Sequence, residues 1–289
     1  MEKMKMNTVG VLGGLGPEAS NKFCEYLIRC KSAEKDQDNI NFIHYCNSKI
    51  PSRLDYISGN SSISPIPEMV KTCRVLESMG ADCVVVPCNT VHYLLPEVQR
   101  HVSIPIIDMI QLLVKQIKIE NPRMKKIGIL GTTLTIDLKL YEKYFDLVGI
   151  EVVKLERTDQ ENLVMDSIYQ IKAGKKIKPR KLLIEAGNMM IVNGAEALVL
   201  GCTEIPLVLN KSHFEISVYD PMNNCANELV RYSEILDMEE LFNHVVVPNE
   251  IIISKNINDF GEDLEAVCIF SKDEGSVLEE VNFVEPIDA

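Results

Sequence analysis

Short apolar runs alternate along this chain with longer segments in which apolar residues return about every 3.6 positions. The runs at 8–12, 40–45, 83–86 and 104–107, and again at 126–130, 151–153, 197–200 and 216–219, read as strands buried on both faces. Between them, 68–79, 138–148 and 180–192 have the length and the apolar stripe of helices. That rhythm predicts an α/β fold in which mostly parallel sheets are flanked by helices.

The pattern also repeats. Val9-Gly10-Val11-Leu12-Gly13-Gly14 has a counterpart in Ile127-Gly128-Ile129-Leu130-Gly131-Thr132. The stretch from Gly80 through Pro87-Cys88-Asn89-Thr90 matches the stretch from Gly194 through Gly201-Cys202-Thr203-Glu204, with the two cysteines 114 residues apart. Each copy then runs to an apolar segment closed by aspartate, Asp108 or Asp220, which read as caps of the next element. The repeat implies two pseudo-symmetric lobes, at 1–112 and 113–220, with a helix over 221–236 returning to the first lobe. The cleft between the lobes is the expected ligand site.

Charge changes this picture at one end. The 289 residues carry a net charge of −12, yet residues 238–289 alone hold 13 acidic and 2 basic residues, so the two lobes are nearly neutral. Nucleic acid is an unsuitable partner for such a chain, whereas a small anion remains acceptable to the lobes. Within the acidic extension, 237–289, the strand-like runs 245–247, 251–253, 267–270 and 281–284 predict a small folded appendage. No apolar run approaches the roughly 20 residues of a membrane helix, and no secretory segment is recognisable. Nine cysteines without close spacing indicate reduced thiols, so cytoplasmic residence is expected. The five histidines show no metal-ligand spacing.

Ligands of parallel sheets bind beyond the carboxyl ends of the strands, which is where Cys88 and Cys202 lie. Helices predicted over 91–101 and from 206 onward would place each thiol at a helix N-terminus, lowering its pKa from about 8.5. Asn89, Thr90 and Thr203 offer side-chain donors beside the thiols, and Thr132 and Thr135 sit at the equivalent turn of the second lobe. Thiols approaching one carbon from opposite faces can remove a proton from one side and deliver another to the other, inverting the centre. The planar intermediate needs preorganised donors on its carboxylate. Cys24, Cys30, Cys46, Cys73, Cys83, Cys225 and Cys268 read as inert small hydrophobes. Gly14-Leu15-Gly16-Pro17-Glu18-Ala19 fits a loose dinucleotide signature, but Asp36 and Asp38 precede the second strand where the fingerprint wants an acid at its end. It reads better as a tight turn that brings backbone close to a ligand.

Over residues 8–232 the chain resembles the aspartate racemase family of the cofactor-independent aspartate/glutamate racemase superfamily. The likeness rests on Gly13-Gly14-Leu15-Gly16-Pro17, Ile50-Pro51-Ser52-Arg53, Pro87-Cys88-Asn89-Thr90, Ile168-Tyr169-Gln170-Ile171-Lys172-Ala173-Gly174 and Gly201-Cys202-Thr203-Glu204, all in the family's order. It implies Cys88 and Cys202 as the catalytic acid/bases, with Asn89 and Thr90 at the substrate carboxylate. Arg53 and Lys172 match the positions that bind the distal carboxylate of a small acidic amino acid and close over it. The resemblance further implies a homodimer that uses no cofactor. Ser52 departs from the aspartate of many members, and Glu204 stands where glutamate racemases usually carry histidine, which favours the aspartate branch. The other readings are a glutamate, hydantoin or broad-specificity racemase, a maleate isomerase, and a non-catalytic binding protein for acidic amino acids. An arylmalonate decarboxylase is disfavoured because that reaction keeps one thiol, and a nicotinamide oxidoreductase is more distant still.

Overall fold

The computed structural model describes residues 8–235, 250–254 and 267–271. Two four-stranded parallel sheets form the body. The first comprises β1 (Thr8–Gly13), β2 (Asn41–Cys46), β3 (Cys83–Val85) and β4 (Ile106–Ile107), in the order β2-β1-β3-β4. The second comprises β5 (Lys126–Ile129), β6 (Glu151–Val153), β7 (Ala197–Val199) and β8 (Ser217–Tyr219), in the order β6-β5-β7-β8. The two orders are the same, so the sequence repeat is a repeat of topology. A further pair, β9 (Glu250–Ser254) and β10 (Val267–Ser271), is antiparallel. The strand-like runs at 245–247 and 281–284 lie outside the described residues.

The central strands are apolar on both faces because helices cover both. Around the first sheet lie α1 (Pro17–Cys30), α2 (Arg53–Ile57), α3 (Ile66–Ser78) and α4 (Leu95–Gln99). In α3 the buried Met69, Val70, Cys73 and Leu76 recur at helical spacing and pack under Val84 and Val86. The chain leaves this helix through Gly80 at φ 90°, a conformation that suits glycine.

The helices after the last strand of each sheet cross between lobes. In α5 (Met109–Glu120), Ile110, Leu113, Val114 and Ile117 join a core with Ile127, Ile129 and Val199 of the second sheet. In α11 (Pro221–Ile235), Met222, Cys225, Ala226 and Leu229 join the core of Val9, Val11 and Phe23 in the first lobe. Both helices start from the aspartates that close the repeated motif. Asp108 accepts from the N–H groups of Ile110 and Gln111, and Asp220 from those of Met222 and Asn223. Each aspartate also receives a tyrosine hydroxyl, Tyr144 on Asp108 at 2.6 Å and Tyr26 on Asp220 at 2.7 Å.

Some predicted helices are broken. The segment 138–148 contains only the short α7 (Glu142–Phe145) and a 3₁₀ turn, after α6 (Thr133–Asp137), and Lys139 takes a positive φ of 51° between them. The helix predicted over 91–101 is a 3₁₀ turn, Thr90–Tyr93, leading into α4. In place of the helix predicted from 206 onward there is one 3₁₀ turn, Ile205–Leu207. Pro96 and Pro206 sit in the first turns of the pieces they begin, where proline tolerates the missing N–H but restricts the residue before it. Between β6 and β7 one long helical stretch runs through α8 (Arg157–Asp159), a π-turn (Gln160–Met165) and α9 (Asp166–Lys172), before α10 (Ile177–Val192).

Candidate active site

Cys88 and Cys202 lie three residues beyond the ends of β3 and β7, at the carboxyl edges of the two sheets, and both are buried. Around them the lobes touch through polar side chains. Thr90 lies 3.0 Å from both Thr132 and Thr135, which are themselves 2.9 Å apart, so three buried hydroxyls join the turn after β3 to the turn after β5. Beside them Tyr141 donates to Asn89 Oδ1 at 2.7 Å. The turn after β5 is supported from behind by the π-turn, because Gln160 donates to the Gly131 carbonyl at 2.9 Å. Wider turns of this kind often occur where a helix must re-aim side chains.

The glycine turn after β1 enters the same space. Gly14 has φ 97°, and a side chain there would collide with the Asn47 backbone. A Cβ on Gly16 would come within 2.7 Å of Glu204 Oε1, so the absence of side chains lets this turn lie against a carboxylate of the other lobe. Arg53, the first residue of α2, donates from Nη2 to the Leu15 carbonyl in that turn. Ser52 caps α2 by accepting from the Asp55 N–H at 3.3 Å, which gives this departure from the family pattern a local role. Burial works against the Arg53 charge, but Cys88, Glu204 and Cys202 outweigh it and hold the guanidinium more firmly protonated than usual.

Cys202 has a different setting. Its Sγ donates to Glu204 Oε2 at 3.0 Å, the Thr203 hydroxyl reaches the same oxygen at 3.4 Å, and Lys172 Nζ lies 3.5 Å from Glu204 Oε1. Burial first, then the Glu204 carboxylate, push the Cys202 thiol well above its ordinary range, with Lys172 pulling the other way. This corrects the expectation that a helix N-terminus would lower its pKa: the single 3₁₀ turn behind it is too short to act as one, and the nearest charge is negative.

All the residues singled out from the sequence, Arg53, Cys88, Asn89, Thr90, Thr132, Lys172, Cys202 and Thr203, thus converge on one region. The sequence marks Glu204 only as a sign of branch, yet it is buried and touches Cys202, Thr203 and Lys172. Its position directly after a repeated cysteine motif was the available signal. Among the described residues, Arg53 Nε, Asn89 Nδ2 and Glu204 Oε1 are buried here with no hydrogen-bond partner. The surface hollows along α10 and beside residues 31–34 contain none of the site's side chains. No cluster of three metal-ligating side chains occurs among the described residues.

The chain is similar to known proteins over this body. It is 27% identical over 219 residues to a broad-specificity amino-acid racemase of Bacillus subtilis, covering 73% of this chain and 92% of that one. The aspartate racemase of Picrophilus torridus superposes with a TM-score of 0.69 and 27% identity, covering 79% of this chain and 94% of that one. The glutamate racemase of Aquifex aeolicus is 30% identical over 159 residues, covering 54% and 59%. The Asp/Glu/hydantoin racemase family profile matches residues 12–229, which include both cysteines and every residue of the site. The chain therefore belongs to the Asp/Glu/hydantoin racemase family and is an isomerase, an amino-acid racemase of that superfamily.

Proposed function

We propose that this racemase acts on an acidic amino acid, aspartate before glutamate, with one of Cys88 and Cys202 removing the α-proton and the other delivering a proton to the opposite face. The observation that carries the reading is the set of three buried atoms without hydrogen-bond partners, the donors Arg53 Nε and Asn89 Nδ2 and the acceptor Glu204 Oε1, the last facing Lys172 Nζ at 3.5 Å as an ion pair. An amino acid is complementary to that set, with carboxylates for the donors and an ammonium for the acceptor. Each such atom left unsatisfied in a protein interior costs about 1–3 kcal/mol, so a ligand that satisfies all three is favoured by their relief.

In one direction Cys88 Sγ takes the α-proton and Cys202 Sγ–H delivers its proton to the opposite face of the carbon. The negative charge that develops on the α-carboxylate is held by Asn89 Nδ2 and the hydroxyls of Thr90 and Thr132, with Thr203 beside the second thiol. Arg53 and Lys172 neutralise the side-chain carboxylate. The forward step leaves Cys88 as the thiol and Cys202 as the thiolate, the acid and the base that the reverse direction needs; Glu204 Oε2, which accepts from the Cys202 thiol at 3.0 Å, orients that thiol when it is the acid.

A second reading, a broad-specificity racemase, is favoured by the ion pair of Lys172 with Glu204, which leaves Arg53 as the main cation for a second carboxylate. The deciding experiment incubates reduced protein with L-aspartate, L-glutamate or L-alanine in D₂O without added cofactor, following optical rotation and loss of the α-proton signal. The acidic reading expects inversion with deuterium incorporation, fastest for aspartate. Equal rates on all three amino acids would establish the broad reading, and no exchange on any of them would overturn both.

A further inference from the structure

His92 stands four residues after Cys88, in the 3₁₀ turn Thr90–Tyr93, and its side chain is wholly enclosed. Its Nδ1 lies 2.8 Å from the carbonyl oxygen of Cys88, and its Nε2 lies 3.2 Å from the backbone N–H of Met109. The second contact settles the first. Nε2 must accept from Met109 and so carries no hydrogen, and the ring proton is on Nδ1, donating to the Cys88 carbonyl. Burial keeps the imidazole neutral against the pull of Asp108, and Lys143 acts in the same sense as burial.

Met109 is the first residue of α5, so this one ring fastens the peptide of Cys88 to the first turn of a helix that packs on the second lobe. Asp108, whose Oδ1 is 3.8 Å from His92 Nε2, caps the same turn and accepts from Tyr144 of α7. The matching position in the second lobe is Pro206, which offers neither donor nor acceptor side chain. There the thiol itself is oriented, through Cys202 Sγ and Glu204 Oε2.

We propose that His92 is a positioning residue for Cys88: the neutral ring fixes the peptide that carries this thiol, while Cys202 is fixed from its side-chain end by Glu204. This rests on the two-thiol reading above. Proton transfer to and from carbon is sensitive to small displacements, and a shift of 1 Å can cost about 100-fold in rate.

The test compares wild-type protein with His92→Leu, which removes the donor, and His92→Asn, whose amide nitrogen can still reach the Cys88 carbonyl. One readout needs no turnover: iodoacetamide alkylation of Cys88 and Cys202, resolved by peptide mass spectrometry. His92→Leu should change the Cys88 rate severalfold and leave the Cys202 rate alone, with His92→Asn between it and wild type. The second readout is turnover of each α-deuterated enantiomer. Turnover should fall about 10–100-fold in His92→Leu, and the isotope effect should rise for the enantiomer that Cys88 deprotonates but not for its mirror image. Equal changes at both thiols, equal isotope effects for both enantiomers, or unchanged kinetics would overturn the proposal. Should His92→Leu fail to fold, ring ¹⁵N shifts of the wild-type protein still decide: a protonated ring or an Nε2–H tautomer at neutral pH refutes it. Absence of racemisation in the wild type would defeat the two-thiol reading instead, and the alkylation contrast would remain decisive for His92.

Discussion

Cys88 and Cys202 come after matching strands in two sheets of the same order, and they are held by different groups. Cys88 faces Arg53 and has its backbone held by a neutral histidine, whereas Cys202 donates to a buried carboxylate that adds to burial in pushing its pKa up. Duplication set where the two sulfurs lie, and the side chains around them then diverged. The divergence has chemical value for the proposed reaction. Inversion needs one base and one acid at the same moment, and unequal settings bias which sulfur is which. The pair carries a single proton, and each turnover exchanges which sulfur holds it, so one direction starts from the state that the other leaves.

The largest effect expected is from removing either sulfur. Cys88→Ala and Cys202→Ala should each lower racemisation by about 10²–10⁴-fold while substrate still binds, as measured by turnover in both directions and by ligand titration. Near wild-type turnover in either variant would end the two-thiol account. Glu204→Gln sharpens the comparison by making the second setting more like the first. Because Glu204 raises the pKa of Cys202, its loss should let that thiol ionise at lower pH, so the alkaline limb of the pH–rate profile moves down. Turnover should fall about 10–100-fold. An alkaline limb that stays in place would detach Glu204 from the titration of Cys202.

Arg53→Ala probes the other side of the contrast. With charged hydrogen bonds worth about 1.5–3 kcal/mol, KM for aspartate should rise about 10–100-fold and KM for alanine far less. Parallel losses on both substrates would remove Arg53 from the distal carboxylate and support the broad-specificity reading.

The difference between the lobes also marks what a single sequence discloses. The parallel sheets were legible because residues such as Val9, Val11, Val84 and Val85 are apolar without alternation, which only a sheet covered on both faces produces. The two cysteines and both aspartate caps were legible through the repeat. The roles of Glu204, His92, Tyr26 and Tyr144 were not, since each depends on contacts that no local pattern encodes; Tyr26 meets Asp220 across 194 residues of chain. The breaks after Asp137 and beyond each cysteine were missed because apolar spacing over a few residues is the same for an α-helix and for a chain of short turns.

The smallest effect on the reaction, and the finest division between the lobes, is expected from the two caps. Asp108 and Asp220 have the same neighbours in kind, two helix N–H groups and a tyrosine hydroxyl, but opposite titration. Burial raises Asp220 to about 6, against the donors of Tyr26, Met222 and Asn223. At Asp108, where the neutral His92 ring brings no charge, burial is opposed by Lys143 and by the donors Tyr144 and Gln111, and the pKa lies below the ordinary value. The signs then differ. A raised Asp220 adds stability that is complete below the unfolded pKa of about 3.9 and is lost as pH rises through about 6. A depressed Asp108 adds stability that is present above about 3.9 and is lost only as pH falls through its lower folded value. Asparagine keeps the cap through Oδ1 and removes the charge, and its Nδ2 donates to the tyrosine hydroxyl that had donated to the carboxylate. In urea unfolding between about pH 4.5 and 7.5, Asp220→Asn should therefore gain on the wild type as pH rises, by about 1–3 kcal/mol. Asp108→Asn should be less stable than the wild type throughout that range. A common sign for the two variants would mean that the lobes differ at their thiols alone and that the caps have kept the symmetry of the duplication.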